Sequence, residues 1–257
     1  MDKYYGIEFF LRNRHICYCH QRKYLTMEEK NVYDAMATGF LNCLDIIPLP
    51  SMDSERLEEI KEMVLKEHCY LFHVNRHKCE FILNERLQVV YLQPKYYYDK
   101  SQTDARMWAL MDKVTKLVAP WLHLTREEKE KAIYQYLKNH VTYDDDKPEE
   151  SRECYQTLIE GKGVCIGIAK AAKLLFDFSG FGDSMIVIGK VHGSEEHVLH
   201  AWNVVRLNRK YYHVDITFDL DGSGYFNLTD KQIKKDREIL TKRLPACTTK
   251  WKSERRL

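Results

Sequence analysis

One cysteine in this chain stands where a thiol could act as a nucleophile. The segment GKGVCIGIAKAAKLLFDFSG, residues 161–180, places Cys165 between two loop glycines and a helical pattern. Four apolar residues from Ile168 to Leu175 recur at i, i+3, i+4 and i+7, the spacing of one buried helix face, and a Ser-Gly pair predicts the helix end. Cys165 therefore falls in the first turn, where unpaired amides and the helix dipole favour the thiolate.

A nucleophilic thiol needs a base, and two predicted strands further along the chain offer one. VLHAWNVVRL and KYYHVDI are rich in β-forming residues, and the Asn-Arg pair at 208–209 between them predicts a two-residue hairpin turn. That turn pairs Leu207 with Lys210. His200 and Asp215 then become diagonal neighbours on one face, about 7–8 Å apart at the backbone. A loop that differed by one residue would put them on opposite faces.

The aspartate in this otherwise apolar strand needs a partner, because burying a lone carboxylate is expensive. His200 is the nearest partner, and Asp215 can accept its second N–H and fix its tautomer. In the order Cys165, His200, Asp215, the three residues predict a cysteine-hydrolase triad. Each residue alone has an ordinary explanation, since a first-turn cysteine is usually inert core and strand histidines such as His213 or His197 usually serve structure.

Helices and strands are predicted around these residues from capping and periodicity. Capping boxes start helices after Thr26 and Thr125, an amphipathic helix covers residues 54–68, and a Ser-x-x-Asp pattern starts another at Ser101. YLFHV, CEFIL and LQVVYLQ are rich in β-formers, with a hairpin predicted at Asn84-Glu85, and SMIVIGKV predicts a further strand. We expect a boundary near residues 95–100, between an N-terminal region, 1–98, and a catalytic core, 99–257.

Composition limits the classes of function. The chain has 257 residues, 44% hydrophobic and 30% charged, with a formal net charge of +2, which is typical of a globular protein without a nucleic-acid partner. Its first fifteen residues lack a signal-peptide pattern and no apolar run is long enough to span a bilayer. Eight cysteines are too sparse for a disulfide scaffold, so we expect a cytoplasmic protein with no membrane partner. The basic residues of KKDR, TKR and KWKSERRL are interpreted as a solvated tail.

The sequence resembles the transglutaminase-like superfamily of papain-related cysteine enzymes. The matching segments are GKGVCIGIAKAAKLLF, HAWNVVRLNRKYYHVDITFD and, more weakly, YFNLTD, while IYQYLKNHVTYD looks like the helix and linker that precede the core in bacterial members. The resemblance covers roughly residues 125–230. It implies an α+β fold in which a nucleophile helix packs on an antiparallel sheet, after a mainly helical N-terminal region with a β-hairpin.

The resemblance also implies roles for individual residues. Cys165 would be the nucleophile, His200 the general base and Asp215 the orienting acid, while Trp202 and Asn203 of the HAWN motif would give structural support. The chain departs from the frequent VDPTW motif, with isoleucine and phenylalanine at positions 216 and 218, and from the aromatic residue common at position 168. These changes leave the triad intact and alter the surroundings of the cleft.

An oxyanion formed at the thiol would need hydrogen-bond donors. The Cys165 backbone amide is the natural first donor, and Tyr155 is the candidate for the second. Trp202 is named with Tyr155 as a candidate for support of the substrate or the oxyanion.

The expected activity is thiol-dependent acyl transfer on an amide of a protein or peptide substrate. Water as acceptor gives a peptidase or amidase and is preferred, whereas an amine gives a transglutaminase. A non-catalytic interaction module on the same fold is the second hypothesis. A metal site is the third hypothesis. It is suggested by the segment His15 to His20 and by a second cluster of cysteines and histidines, Cys69, His73, His77 and Cys79. Neither has the paired spacing of a zinc site, so no metal or cofactor is expected, and the oligomeric state is left open.

Overall fold

The computed structural model describes residues 17–86, 88–193, 199–222 and 224–252. The fold is α+β, as predicted. The chain divides into two compact units, one formed by Cys19–Ala109 and the other by Leu110 onward together with Tyr18 and the residue before it. The division falls inside the helix Lys100–Val118. The boundary expected at residues 98/99 stays a prediction. No helix within the described ranges is long and apolar enough to cross a membrane.

The first unit combines helices with a small antiparallel sheet. Its elements are α1 Met27–Leu41, β1 Ile47–Pro48, α2 Ser54–Glu67, β2 Glu80–Leu83, β3 Val89–Gln93 and the first part of α3 Lys100–Val118. Among the described residues the strand order is β1-β3-β2. The capping box at Thr26 is confirmed, since its hydroxyl accepts from the Glu29 amide and the Glu29 carboxylate accepts from the Thr26 amide. The predicted hairpin between β2 and β3 is also confirmed.

Two predictions for this unit are wrong in detail. YLFHV is not a strand: residues 70–73 form turns, and Val74 makes one isolated bridge to Tyr96. All five residues are buried, so burial without alternation explains the β-rich composition. Helix α3 begins at Lys100, and its cap is Asp99, whose side chain accepts from the Gln102 amide at 2.8 Å.

The second unit holds the predicted core. Its helices are α4 Arg126–His140, α5 Cys165–Phe178 and α6 Asp230–Ile233. Its strands are β4 Thr142–Tyr143, β5 Lys162–Gly163, β6 Met185–Val191, β7 Leu199–Leu207, β8 Lys210–Val214 and β9 Arg237–Ile239. In the described residues β4 and β5 form a parallel pair, and an antiparallel sheet has the order β8-β7-β6-β9. Helix α5 packs against β7.

The hairpin between β7 and β8 has the predicted register. Leu207 pairs with Lys210 and Val204 with His213. Asn208 and Arg209 both have positive φ, 46° and 65°, as a type I′ two-residue turn requires. The register puts the side chains of His200 and Trp202 on one sheet face.

The opposite face of β7 is joined to helix α5 by Asn203, whose Nδ2 donates to the Ala169 carbonyl at 2.9 Å. Both groups are buried, so the bond gives a partner to an Asn203 amide that burial has removed from water. The asparagine of the HAWN segment therefore ties the helix that carries Cys165 to the strand that carries His200.

The last strand of the sheet was not predicted. Strand β9 pairs antiparallel with β6, and Arg237 lies opposite Val191. The side chain of Arg237 is 0% exposed. The interpretation of KKDR as part of a solvated tail is therefore wrong for its arginine, because tertiary packing brings this residue back into the core.

Candidate active site

Cys165 is the first residue of α5, as its first-turn placement predicted, and it is partly buried. Burial of the thiol opposes ionisation, but the hydrogen bond and charge of His200, with backbone hydrogen bonds from Ala201 and Ile166, favour the thiolate. The balance lowers the pKa of Cys165 below its ordinary value. Two half-buried thiols elsewhere, Cys43 and Cys79, have their pKa values raised, with burial as the main cause.

His200 connects the thiol to the carboxylate. Its Nε2 donates to Asp215 Oδ2 at 2.8 Å, which leaves Nδ1 for the thiol of Cys165. Burial lowers the pKa of His200, but the hydrogen bonds and charges of Asp215 and Cys165 outweigh it and raise this pKa to about 9. The opposite shifts of the two pKa values favour a thiolate–imidazolium pair at neutral pH.

Asp215 is fully buried, and donors surround its carboxylate. Its Oδ2 accepts from His200 and, at 3.1 Å, from Arg237 Nη2, while its Oδ1 accepts from the Phe218 amide at 3.2 Å. The Phe218 amide reaches Asp215 Oδ1 because the chain turns tightly after β8. These donors compensate for the desolvation of the buried carboxylate.

Two aromatic rings hold the imidazole of His200. Trp202 stacks on it with a centroid separation of 5.8 Å and an interplanar angle of 20°, and Phe218 meets it edge-on at 4.9 Å. Gly189, which pairs with His200 across the sheet, makes room for the indole, because a Cβ there would overlap Trp202. The predicted supporting role of Trp202 at the site stays a prediction.

A second hydrogen-bonded line fixes the indole. Trp202 Nε1 donates to His213 Nδ1 at 2.9 Å, and His213 Nε2 donates to Asp230 Oδ1 at 2.9 Å. Asp230 Oδ2 accepts from the Cys247 amide at 2.9 Å. The sequence predicts only a structural role for His213, although its position two residues before Asp215 puts it on the same face.

These hydrogen bonds also bear on metal binding. Within the described part of the chain, one group of His, Cys, Asp or Glu residues has all its ligand atoms within 4.8 Å of one another: His213, Asp230 and Cys247. The indole N–H of Trp202 can only donate, so His213 Nδ1 is an acceptor and the neutral ring carries its proton on Nε2, where it donates to Asp230. Neither ring nitrogen has a lone pair left for a metal, and these contacts describe a hydrogen-bonded network.

Four of the metal candidates from the sequence have polar contacts of another kind. Cys69 and Cys79 lie 3.3 Å from backbone carbonyls to which their thiols donate, and His73 Nε2 donates to the Phe40 carbonyl at 2.8 Å. Cys19 Sγ lies 3.7 Å from His68 Nε2. His15 and His197 lie outside the described residues.

Two further residues concern the environment of the thiol. Tyr155 precedes the π-helical turn Gln156–Glu160 and is partly buried; its role as an oxyanion donor stays a prediction. Tyr143 in β4 pairs with Gly163, two residues before the cysteine. Burial, followed by the charges of Cys165 and Asp145, raises the pKa of Tyr143. The parallel pairing of β4 and β5 brings this exposed ring near the thiol, and no local pattern could have signalled it.

Comparisons with known proteins find similarity to one family model and to a few solved structures. No curated protein matches the chain. Similar solved structures are a candidate cysteine protease from Cytophaga hutchinsonii (16% identity, covering 39% of this chain and 42% of that one, TM-score 0.29) and a TGase (17% identity, 72% and 53%, TM-score 0.38). Menin, solved with its binding site for the Mixed Lineage Leukemia protein, is a third (21% identity, 46% and 26%, TM-score 0.32).

The chain spans about half or less of the length of these three proteins. At identities and TM-scores this low, none of them bears on the activity of this chain. The family model carries more weight: residues 116–216 match that of the Transglutaminase-like superfamily. This match includes Cys165, His200 and Asp215. The similarity of this chain to a transglutaminase-like domain therefore lies in residues 116–216.

Proposed function

We propose that this chain is a thiol-dependent acyl-transfer enzyme that acts on amide bonds of a protein or peptide, most directly as a cysteine peptidase or amidase. The observation that carries the proposal is the hydrogen-bonded line from Asp215 through His200 to Cys165. The lowered pKa of the thiol and the raised pKa of the imidazole support it. We place the reaction in the cytoplasm, where reducing conditions keep a thiol available.

The proposed cycle uses Cys165 as nucleophile, His200 first as acid and then as base, and Asp215 to orient the imidazole. The Cys165 thiolate attacks the amide carbonyl carbon, and a C–S bond forms. His200 then gives its proton to the leaving nitrogen as the C–N bond breaks, which releases an amine and leaves a thioester. Water loses a proton to His200 and attacks the thioester, and cleavage of the C–S bond releases the acid and restores the thiolate–imidazolium pair. Asp215 keeps the imidazole oriented throughout.

Transglutaminase-type transfer to an amine uses the same first half of the cycle, since only the acceptor of the acyl group differs. We prefer water because it is always present. A non-catalytic interaction module on the same fold would keep the structure without needing a thiolate at neutral pH. The ionisation of Cys165 therefore discriminates between an enzyme and a binding module.

The decisive experiment is alkylation of the native protein with iodoacetamide from pH 4 to pH 9, with peptide mapping of the labelled cysteine. We expect fast labelling of Cys165 below pH 7, when Cys43 and Cys79 remain slow and serve as internal controls. His200→Ala should slow labelling of Cys165 at pH 7, because it removes the imidazolium. Equal labelling of the three thiols, or reaction of Cys165 only above pH 8, would contradict the proposal. If Cys165 reacts in this way, the protein is then screened for cleavage of peptide amides, with and without added alkylamine.

A further inference from the structure

A fully buried arginine shares the carboxylate of the triad. Arg237 in β9 directs its Nε and Nη2 at Asp215 Oδ2, at 3.3 and 3.1 Å. The same oxygen accepts from His200 Nε2 at 2.8 Å. Arg237 and His200 therefore both donate to one carboxylate oxygen, and the side chains of Arg237 and Asp215 are both 0% exposed.

The guanidinium is held in one place by aromatic rings and a second acid. The Phe218 and Tyr225 rings lie 3.8 and 4.6 Å from its central carbon. Nη1 lies 3.2 Å from Asp236 Oδ2, which also accepts from the Tyr225 hydroxyl. A buried charge is expensive unless its partners are in place, so this many contacts specify the position of the guanidinium. Phe218 also contacts the His200 ring, so the same phenylalanine packs against both the guanidinium and the imidazole.

We propose that Arg237 is a positioning residue that orients Asp215 and withholds part of its negative charge from His200, an inference that rests on the triad proposed above. With the partly exposed Asp236 counted separately, the charges of thiolate, imidazolium, Asp215 carboxylate and guanidinium sum to zero when Arg237 is present. Without it, the buried group has a net charge of −1. Among the described residues, the groups packed against His200 are Asp215 after β8, Cys165 on α5 and the two aromatic rings, with Arg237 and then Asp236 behind the carboxylate.

The withheld charge matters for proton transfer. Removing a cation from a buried cluster favours the protonated form of its neighbours. His200 would then hold its proton more tightly and become a weaker acid toward the leaving nitrogen. Arg237 keeps the acidity of the imidazolium within reach of neutral pH without touching the substrate itself.

The test measures the pKa of His200 directly, by NMR of histidine-labelled protein with the resonance assigned through His200→Gln. Arg237→Gln retains donors for Asp215 and removes the charge, and we expect it to raise the pKa of His200 by about one unit. Arg237→Lys keeps the charge and should leave this pKa within a few tenths of a unit of the unmodified protein. If the glutamine variant does not fold, Arg237→Met provides the same loss of charge with a stem of similar length.

A matched control is Lys173→Met, which removes an equally buried cation of the same unit that is paired with Asp177. It should leave the pKa of His200 unchanged. A merely structural arginine predicts the opposite sign, because a displaced Asp215 would let the pKa of His200 fall toward its ordinary value of about 6.5. An unchanged or lower pKa in Arg237→Gln, or equal rises in the glutamine and lysine variants, would overturn the inference.

The two proposals can fail separately. The pKa of His200 is measured without substrate and without alkylation, so the role of Arg237 is tested even if Cys165 proves unreactive. A reactive Cys165 combined with an unshifted His200 in Arg237→Gln would overturn the role of Arg237 and leave the proposed function standing.

Discussion

The contribution of Asp215 to the ion pair can be tested by replacing it with asparagine. The change keeps the size of the side chain and removes its charge. The pKa of His200 stands at about 9 against an ordinary 6.5, and a difference of this size corresponds to about 3 kcal/mol. Burial acts against this shift, so Asp215 and Cys165 together supply more than the net value. We therefore expect Asp215→Asn to lower the pKa of His200 by about 2 units or more.

The lower pKa has a consequence for reactivity. At pH 7.5 a histidine with a pKa near 9 is about 97% protonated, whereas one with a pKa near 6.5 is about 9% protonated. Because the imidazolium stabilises the thiolate, the rate of Cys165 alkylation at that pH should fall by about tenfold. The rate constant with iodoacetamide, measured from pH 5 to pH 9, is the assay.

Asp219→Asn is the matched control. Asp219 is equally buried and lies four residues further along the chain, but it accepts from the backbone amides of Gly224 and Tyr225. Its replacement should leave the pH profile of Cys165 alkylation in place. The reasoning is refuted if Asp215→Asn is folded and keeps both the pKa of His200 and the alkylation rate of the unmodified protein.

Two further substitutions test buried polar groups of the same unit. Burial raises the pKa of Glu130 to about 8, with Asn227 donating to its carboxylate. Because the folded state then binds a proton more tightly than the unfolded state, stability should fall as pH rises from about 4.5 to about 8. Thermal melts of Glu130→Gln should lack this fall, and a parallel pH dependence of the two proteins would contradict the assignment. Trp202→Phe removes the donor to His213 Nδ1 and should lower the free energy of unfolding in urea by about 1–3 kcal/mol. Its ring still stacks on His200, so the alkylation rate should change less than in Asp215→Asn, and a larger loss would show that the indole acts on the triad itself.

Local patterns in the sequence determined where several helices begin and where Cys165 and His200 lie in their elements. The capping boxes at Thr26 and Thr125 start their helices where predicted, because the residues involved are three apart and satisfy each other. The turn at 208–209 determined the register of β7 and β8, and the register determined which face His200 occupies. The first-turn position of Cys165 followed from periodicity in the same way.

Only the tertiary structure decided how these elements are surrounded. Arg237 lies in a charged run that is typical of a solvated tail, yet β9 returns it to Asp215, 22 residues away in sequence. YLFHV has strand-forming residues, but burial on all sides left it in turns. Tyr143 approaches Cys165 through a parallel pairing that no short segment encodes. Hydrogen bonds between close residues can be predicted from spacing, whereas the exposure of a charge depends on which distant segment packs over it.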